Sequence, residues 1–241
     1  MSSAQLEALL YAVVAGGANV LGALVVTANA RRGVRALEGM VALAAGFMMA
    51  VSLTDLLPEA IERHGHRAAV VALMGYLLVH LTQHTLSRHF HFGEETHEVS
   101  SIVSLSALAG LLLHTFVDGV AIASGFLEST RLGVLVFFAI LLHKFPEGLA
   151  ISSLFLAAGA SRRRALLAAA LLGVATVLGV LVTGALGPLG DYGLALAAGV
   201  TLYVAASNLV PEFQAKHDWR LPISFFGGVG LYFAARTLLP H

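Results

Sequence analysis

Hydrophobic residues along this chain fall into eight long stretches, and short polar segments separate the stretches. Each stretch has about the 20 residues that an α-helix needs to cross ~30 Å of hydrocarbon. The pattern therefore predicts an all-α polytopic membrane protein with eight transmembrane helices. The predicted spans are 6–28, 37–57, 68–86, 102–127, 132–157, 165–186, 194–213 and 221–239.

The composition agrees with this prediction. Hydrophobic residues make up 58% of the chain, charged residues make up 12%, and the mean hydropathy is +0.84. No polar segment is long enough for a soluble domain, so we expect residues 1–241 to form a single transmembrane domain. The chain has no cysteine, which leaves His, Asp, Glu, Asn and Met as metal ligands.

Basic residues of the predicted loops concentrate on one face of the membrane. The positive-inside rule assigns that face to the cytoplasm, so both termini are expected on the non-cytoplasmic side. The face opposite the termini carries Arg31, Arg32, Arg35, Arg88, Arg162, Arg163, Arg164, Lys216 and Arg220, whereas the loops of the other face carry Arg63, Arg67 and Arg131.

Two similar motifs lie in the fourth and fifth spans. His114 and Asp118 in one, and His143 and Glu147 in the other, are four residues apart, and glycine follows each acid. On a helix this spacing places both side chains on one face. A charged group at the centre of a bilayer costs about 3 kcal/mol on insertion scales, so an intramembrane acid indicates a functional site.

These four residues would offer two imidazoles and two carboxylates to a divalent metal. The ligand types suit Zn²⁺, Fe²⁺, Mn²⁺ and Co²⁺ without choosing between them. The structural alternative is a hydrogen-bond network that holds two helices in register. Asn or Ser could serve that purpose at lower cost, so the sequence favours metal or proton chemistry.

A second internal similarity links the second and seventh spans. Residues 55–59 read Asp-Leu-Leu-Pro-Glu and residues 208–212 read Asn-Leu-Val-Pro-Glu. The two spans are expected to run in opposite directions, which is the signature of an inverted repeat in secondary transporters. The prediction is a 3+2+3 arrangement, with spans four and five between the two repeats.

Several other polar residues are candidates for the metal path. Asp55, Glu59 and Met48 belong to the second span, and Asn208 and Glu212 belong to the seventh. Glu59 is equally consistent with a capping or solvated role, and a methionine in an apolar helix usually packs. The His- and Glu-rich segment 88–100 is either a solvated connector or a mobile metal-collecting loop.

Three functions remain open at this point: a metal transporter, an intramembrane metal-dependent hydrolase and a proton-coupled carrier. The chain lacks the His-Glu-x-x-His and Gly-x-Ser-x-Gly motifs of hydrolases. Matched half-sites in consecutive helices also suit a translocation path better than an active site. The sequence therefore favours a transporter over an enzyme, with the metal as cargo and no resident cofactor.

The paired motifs, the eight spans, the Leu-Pro-Glu end of span two and the Pro-Glu of span seven resemble the ZIP (Zrt/Irt-like) divalent metal transporters, in particular their bacterial branch. The resemblance implies movement of Zn²⁺, or of Fe²⁺, Mn²⁺, Co²⁺ or Cd²⁺, across a bacterial inner membrane into the cytoplasm. It also implies a homodimer within the lipid bilayer, and no nucleic-acid partner is expected.

One departure from the family pattern concerns a second metal. Many members hold two metals with an Asn after the span-four histidine, an acid after the span-five histidine or glutamine, and an acid in span six. Here Thr115 and Lys144 take the first two places, and residues 165–186 contain no carboxylate. The departure predicts one metal, with the ammonium of Lys144 in place of the second. A plain salt bridge from Lys144 to Glu147 or Asp118 is the alternative.

Overall fold

The structure, a computed structural model, describes residues 2–28, 34–86, 101–214, 216 and 218–239. For residues 34–37, 83–86, 101–103, 187, 188, 190 and 212 it describes the backbone alone. Every regular element in these ranges is helical, as predicted. The helices are α1 (Ser3–Ala28), α2 (Val34–Val51), α3 (Leu57–His64), α4 (His66–Leu86), α5 (Ser101–Glu128), α6 (Thr130–Ala157), α7 (Arg162–Ala185), α8 (Gly187–Tyr203), α9 (Val210–Gln214) and α10 (Arg220–Leu238).

These helices form the eight predicted spans, because α2 continues into α3 and α8 continues into α9. Within the described ranges, seven segments are long and apolar enough to cross a membrane, and the apolar part of α4, His66–Thr82, is shorter. The prediction of an all-α polytopic membrane protein is confirmed.

Consecutive spans run in opposite directions, so the bundle has two distinct ends. We call the end that holds Ser2 and Leu239 the termini end. There Arg63 forms an ion pair with Glu128, and the rings of His64 and Tyr192 lie 4.6 Å apart. At the opposite end, Lys216 Nζ lies 2.7 Å from a carboxylate oxygen of Glu38.

Helix packing follows the inverted repeat that the sequence predicts. If spans one to three correspond to spans six to eight, and span four to span five, each contact in one half should have a partner in the other. The observed pairs match: α1 packs on α6 as α7 packs on α5, α2 packs on α10 as α8 packs on α4, and α2 packs on α6 as α8 packs on α5. The bundle is therefore two related halves that meet at α5 and α6.

Two π-helical segments occupy corresponding places in spans two and seven. Ser52–Leu56 links α2 to α3 and Val204–Leu209 links α8 to α9. In each span a proline, Pro58 or Pro211, lies two residues beyond the segment. Because proline has no N–H and its ring clashes with the carbonyl four residues earlier, the preceding turn widens. The widened turns carry Asp55 and Asn208, so the short sequence similarity reflects a shared backbone feature.

Candidate metal centre

The predicted site residues meet where α5 crosses α6. His114 and Asp118 lie one turn apart on α5, and His143 and Glu147 lie one turn apart on α6. All four side chains are buried, with residue exposures between 2% and 7%. The fifth member of the group, Lys144, is fully buried at 0% exposure.

The glycine after each acid lets a flanking helix approach the site closely. A Cβ atom on Gly119 would overlap the carbonyl oxygen of Thr176 in α7, and one on Gly148 would overlap the carbonyl oxygen of Asn19 in α1. Backbone contacts of this kind are typical of membrane helices, whose association depends on close packing. The two glycines therefore let α7 and α1 pack directly against the turns that carry the two acids.

One carboxylate oxygen forms the centre of the site. Asp118 Oδ2 lies 3.5 Å from His114 Nε2 and 3.3 Å from His143 Nε2. The same oxygen lies 2.6 Å from Lys144 Nζ. The two imidazole rings are tilted at 35° to each other, with centroids 5.6 Å apart.

The contact of His143 Nδ1 indicates which ring nitrogen can bind a metal. Nδ1 lies 3.0 Å from the carbonyl oxygen of Ala139, and a carbonyl oxygen can only accept a hydrogen bond. Nδ1 therefore carries the proton, and in the neutral ring Nε2 presents a lone pair toward Asp118. An N–H donated to a backbone carbonyl is a usual orienting contact for a metal-binding histidine.

Three of the four predicted ligands form one compact donor group. The ligand atoms of His114, Asp118 and His143 lie within 4.8 Å of one another. Glu147 joins them through Lys144, whose Nζ lies 2.9 Å from Glu147 Oε2. Glu147 Oε1 and His114 Nδ1 are buried without a hydrogen-bond partner among the described residues. Two site atoms thus remain available for further contacts.

Thr115 and Lys144, the two residues at the predicted second-metal positions, differ in their contacts. The Thr115 hydroxyl donates to the carbonyl oxygen of Leu112 in its own helix at 3.1 Å. The ammonium of Lys144 lies between the two carboxylates, and it forms both of the salt bridges that the sequence left as alternatives. A positive charge thus occupies the space between Asp118 and Glu147.

The path candidates of span two have their own contacts in the structure. Asp55 faces span eight, where it accepts a short hydrogen bond from Tyr232 and lies 3.2 Å from Arg236 Nε. Glu59 pairs with Arg63 at 3.4 Å in a largely exposed position at the termini end. Met48 is fully buried and belongs to a hydrophobic core cluster.

The path candidates of span seven are less closely described. Asn208 is partly buried in the π-helical segment of that span. Glu212 belongs to α9, but its side chain lies outside the described residues, as does the whole of segment 88–100. Nearby, the hydroxyl groups of Tyr76 and Ser207 lie 2.9 Å apart.

Sequence reasoning missed two features of the polar interior. The cluster of Asp55, Tyr232 and Arg236 was not foreseen, because its members are far apart in sequence. Asn19 was also missed, although a lone amide among small apolar residues, Ala-Gly-Gly-Ala-Asn, was visible in span one. Its side chain is fully buried.

Comparisons with known proteins identify the family of this chain. The family model "ZIP Zinc transporter" matches residues 93–234. Zinc transporter GufA of Myxococcus xanthus is 34% identical over 222 residues, which cover 85% of this chain and 87% of that protein. Zinc transporter foi of Drosophila melanogaster is 31% identical over 150 residues; these cover 59% of this chain but only 21% of that longer protein. The chain is a member of the ZIP zinc transporter family, a family of transporters rather than enzymes.

Proposed function

We propose that this protein moves a divalent cation, with Zn²⁺ as the main cargo, into the cytoplasm. The cation would be held by His114, Asp118 and His143, and Glu147 would complete its ligands. Membership of the ZIP family supports transport over the hydrolase that the sequence left open. Fe²⁺, Mn²⁺, Co²⁺ and Cd²⁺ are secondary cargoes in this proposal, since imidazole and carboxylate accept several of them.

One observation carries the proposal. The hydrogen bond from His143 Nδ1 to the carbonyl oxygen of Ala139 turns Nε2 toward Asp118 Oδ2 at 3.3 Å, so in the neutral ring a lone pair faces a carboxylate oxygen in a buried space. Two acceptors repel unless a proton or a cation lies between them. A divalent cation satisfies both and also accepts the lone pair of His114 Nε2.

We further propose that the site holds one cation at a time. An ammonium group has no lone pair to give a metal. Lys144 lies between the two carboxylates, where a second metal would need them as ligands. Binding of one tight equivalent per chain supports this proposal, whereas two equivalents at spans four and five contradict it.

Mutagenesis with radiolabelled Zn²⁺ uptake into proteoliposomes tests the ligand set. His114→Ala, Asp118→Asn, His143→Ala and Glu147→Gln are each expected to reduce uptake by about tenfold or more, because each removes a donor. The matched controls are His66→Ala, Glu62→Gln and Asp191→Asn, which change exposed residues of the same types.

Uptake equal to wild type in the Asp118→Asn/Glu147→Gln double variant would contradict the ligand assignment. Competition with the other four divalent metals ranks the cargoes. Hydrolysis of lipid or peptide without metal uptake would favour the enzyme alternative. Uphill proton movement without metal uptake would favour the proton-coupled carrier.

The orientation of the protein is a separate part of the proposal. We infer a bacterial inner-membrane location with the termini end outside the cytoplasm, on the basis of the loop arginines and the family resemblance. Because the chain has no cysteine, single variants such as Ser2→Cys and Ser161→Cys can be labelled from one side of the membrane. If an impermeant reagent added to whole cells labels Ser161→Cys but not Ser2→Cys, the inferred orientation is wrong.

Homodimer formation is the last part of the proposal and also follows from the family resemblance. Light scattering of the protein in detergent, with the mass of the micelle subtracted, measures the oligomeric state. A mass equal to one chain at all protein concentrations would contradict it.

A further inference from the structure

Asn19 is a fully buried amide at the centre of the buried face of α1. Its exposure is 0%, and both Oδ1 and Nδ2 lack a hydrogen-bond partner among the described residues. A buried amide without partners loses its contacts with water and gains nothing in return. Orphaned groups of this kind call for a specific explanation, such as an ion that the site receives.

The position of Asn19 relates it to the metal centre. Its backbone packs directly on Gly148, the residue after Glu147, and a Cβ atom on Gly22 would overlap the carbonyl oxygen of Phe145. Span one therefore crosses span five at the turn that carries Lys144 and Glu147. Glu147 Oε1 is also buried without a partner, so two orphaned polar groups lie at one helix crossing.

The other half of the inverted repeat shows that packing does not require an amide here. Thr176 on α7 packs on Gly119 as Asn19 packs on Gly148. The Thr176 hydroxyl donates to the carbonyl oxygen of Leu172 in its own helix at 3.2 Å, so this residue is satisfied. A small self-satisfied residue fills the corresponding position, and the orphaned amide of Asn19 needs another reason.

We propose that Asn19 supplies a cation ligand from span one, with its amide oxygen acting together with Glu147 Oε1. This inference rests on the proposed transport function and adds a ligand from outside the fourth and fifth spans. Two oxygen donors are harder than imidazole, so they raise the affinity for Mn²⁺ relative to that for Zn²⁺. Asn19 is then a residue that sets specificity among the transported metals.

The test compares metal affinity and stability in three purified variants. Asn19→Leu removes the amide at similar volume, and Asn19→Asp keeps an oxygen donor. Thr176→Val is the matched control, because it changes the corresponding residue of the other half. Binding of Mn²⁺ and of Zn²⁺ is measured by calorimetry, and the melting temperature is measured without metal.

The expected result is selective loss of Mn²⁺ binding in Asn19→Leu. Its Mn²⁺ affinity should fall by about tenfold, with a smaller loss for Zn²⁺. Asn19→Asp should bind Mn²⁺ at least as tightly as wild type, and Thr176→Val should match wild type for both metals. The metal-free melting temperature of Asn19→Leu should equal or exceed that of wild type, because an unsatisfied amide is gone.

Two results would overturn the inference. One is an unchanged Mn²⁺ affinity in Asn19→Leu. The other is a lower metal-free melting temperature with equal losses for both metals and no recovery in Asn19→Asp, which indicates a structural role. If Asn19→Leu does not fold, Asn19→Asp and Asn19→Ala decide in the same way. Failure of wild-type protein to bind or carry either metal would instead refute the proposed function.

Discussion

Replacing Lys144 by methionine separates a charge that substitutes for a metal from a salt bridge that only stabilises the fold. The ammonium lies 2.6 Å from Asp118 Oδ2 and 2.9 Å from Glu147 Oε2, and it is fully buried. Methionine keeps most of the side-chain volume and removes the charge. The metal-free variant then holds two buried carboxylates without their counter-ion.

The size of the effect follows from this burial. Removing one partner of a buried ion pair costs about 3–5 kcal/mol, because the other charge stays desolvated. For a chain of this length, that loss corresponds to a melting temperature lower by roughly 6–20 °C. A bound divalent cation restores positive charge beside the same carboxylates. If the ammonium opposes metal binding by about 3 kcal/mol, its removal tightens Zn²⁺ binding by about a hundredfold.

Thermal unfolding in detergent, with and without Zn²⁺, and titration calorimetry measure these two quantities. The chain has only one other lysine, which makes Lys216→Met a matched control. Lys216 pairs with Glu38 at 2.7 Å, but its side chain is 36% exposed, so its loss should cost about 1 kcal/mol or less.

A specific pattern of results would refute this reasoning. If Lys144→Met has the same melting temperature as Lys216→Met, the ammonium does not balance the charge of the buried acids. If Lys144→Met is destabilised but binds Zn²⁺ no more tightly than wild type, Lys144 is a structural salt bridge and does not stand in for a metal.

Three further predictions concern packing, protons and the cluster of span eight. Gly148→Ala should lower the free energy of unfolding by about 1–3 kcal/mol and reduce uptake, because its Cβ overlaps the backbone of span one. Gly17→Ala, which has open space around it, is the control and should change neither quantity in the same melting and uptake assays. Zn²⁺ affinity should fall as the pH is lowered, because protons compete with the metal for the two ligating rings. The fall should reach at most about a hundredfold per pH unit for two rings. Calorimetric affinities that do not change with pH would contradict this prediction. Arg236→Gln should lower the free energy of unfolding by no more than about 1 kcal/mol, because the arginine side chain of the Asp55 pair is 40% exposed. A loss of several kcal/mol in thermal unfolding would show that the pair is effectively buried.

The candidate ligands could be predicted because their signal is local. A histidine and an acid four residues apart share a helix face wherever the helix lies, and an acid inside an apolar stretch stands out at once. The eight spans follow from hydrophobic length in the same way. The Pro-Glu similarity between spans two and seven also pointed to the inverted repeat that the helix packing shows.

What the ligands do to one another depends on distances across helices. The sequence predicted that Lys144 would affect the site, but only the crossing of α5 and α6 brings its ammonium between Asp118 and Glu147. The same crossing groups three of the predicted ligands within 4.8 Å. Glu147 is separated from Asp118 by the ammonium of Lys144. Spacing along one helix carries no information about the distance to the next.

Asn19 and Asp55 show the same division most clearly. The sequence alone determined that each is a polar residue in an apolar span, and therefore that each needs a partner. Tertiary structure decided that Asp55 contacts Tyr232 and Arg236 on span eight. It also decided that the Asn19 side chain, beside the turn of Glu147, has no hydrogen-bond partner in the part of the chain that the structure describes. Helical periodicity determines which residues share a face, whereas the rotation and close approach of neighbouring helices decide what that face meets.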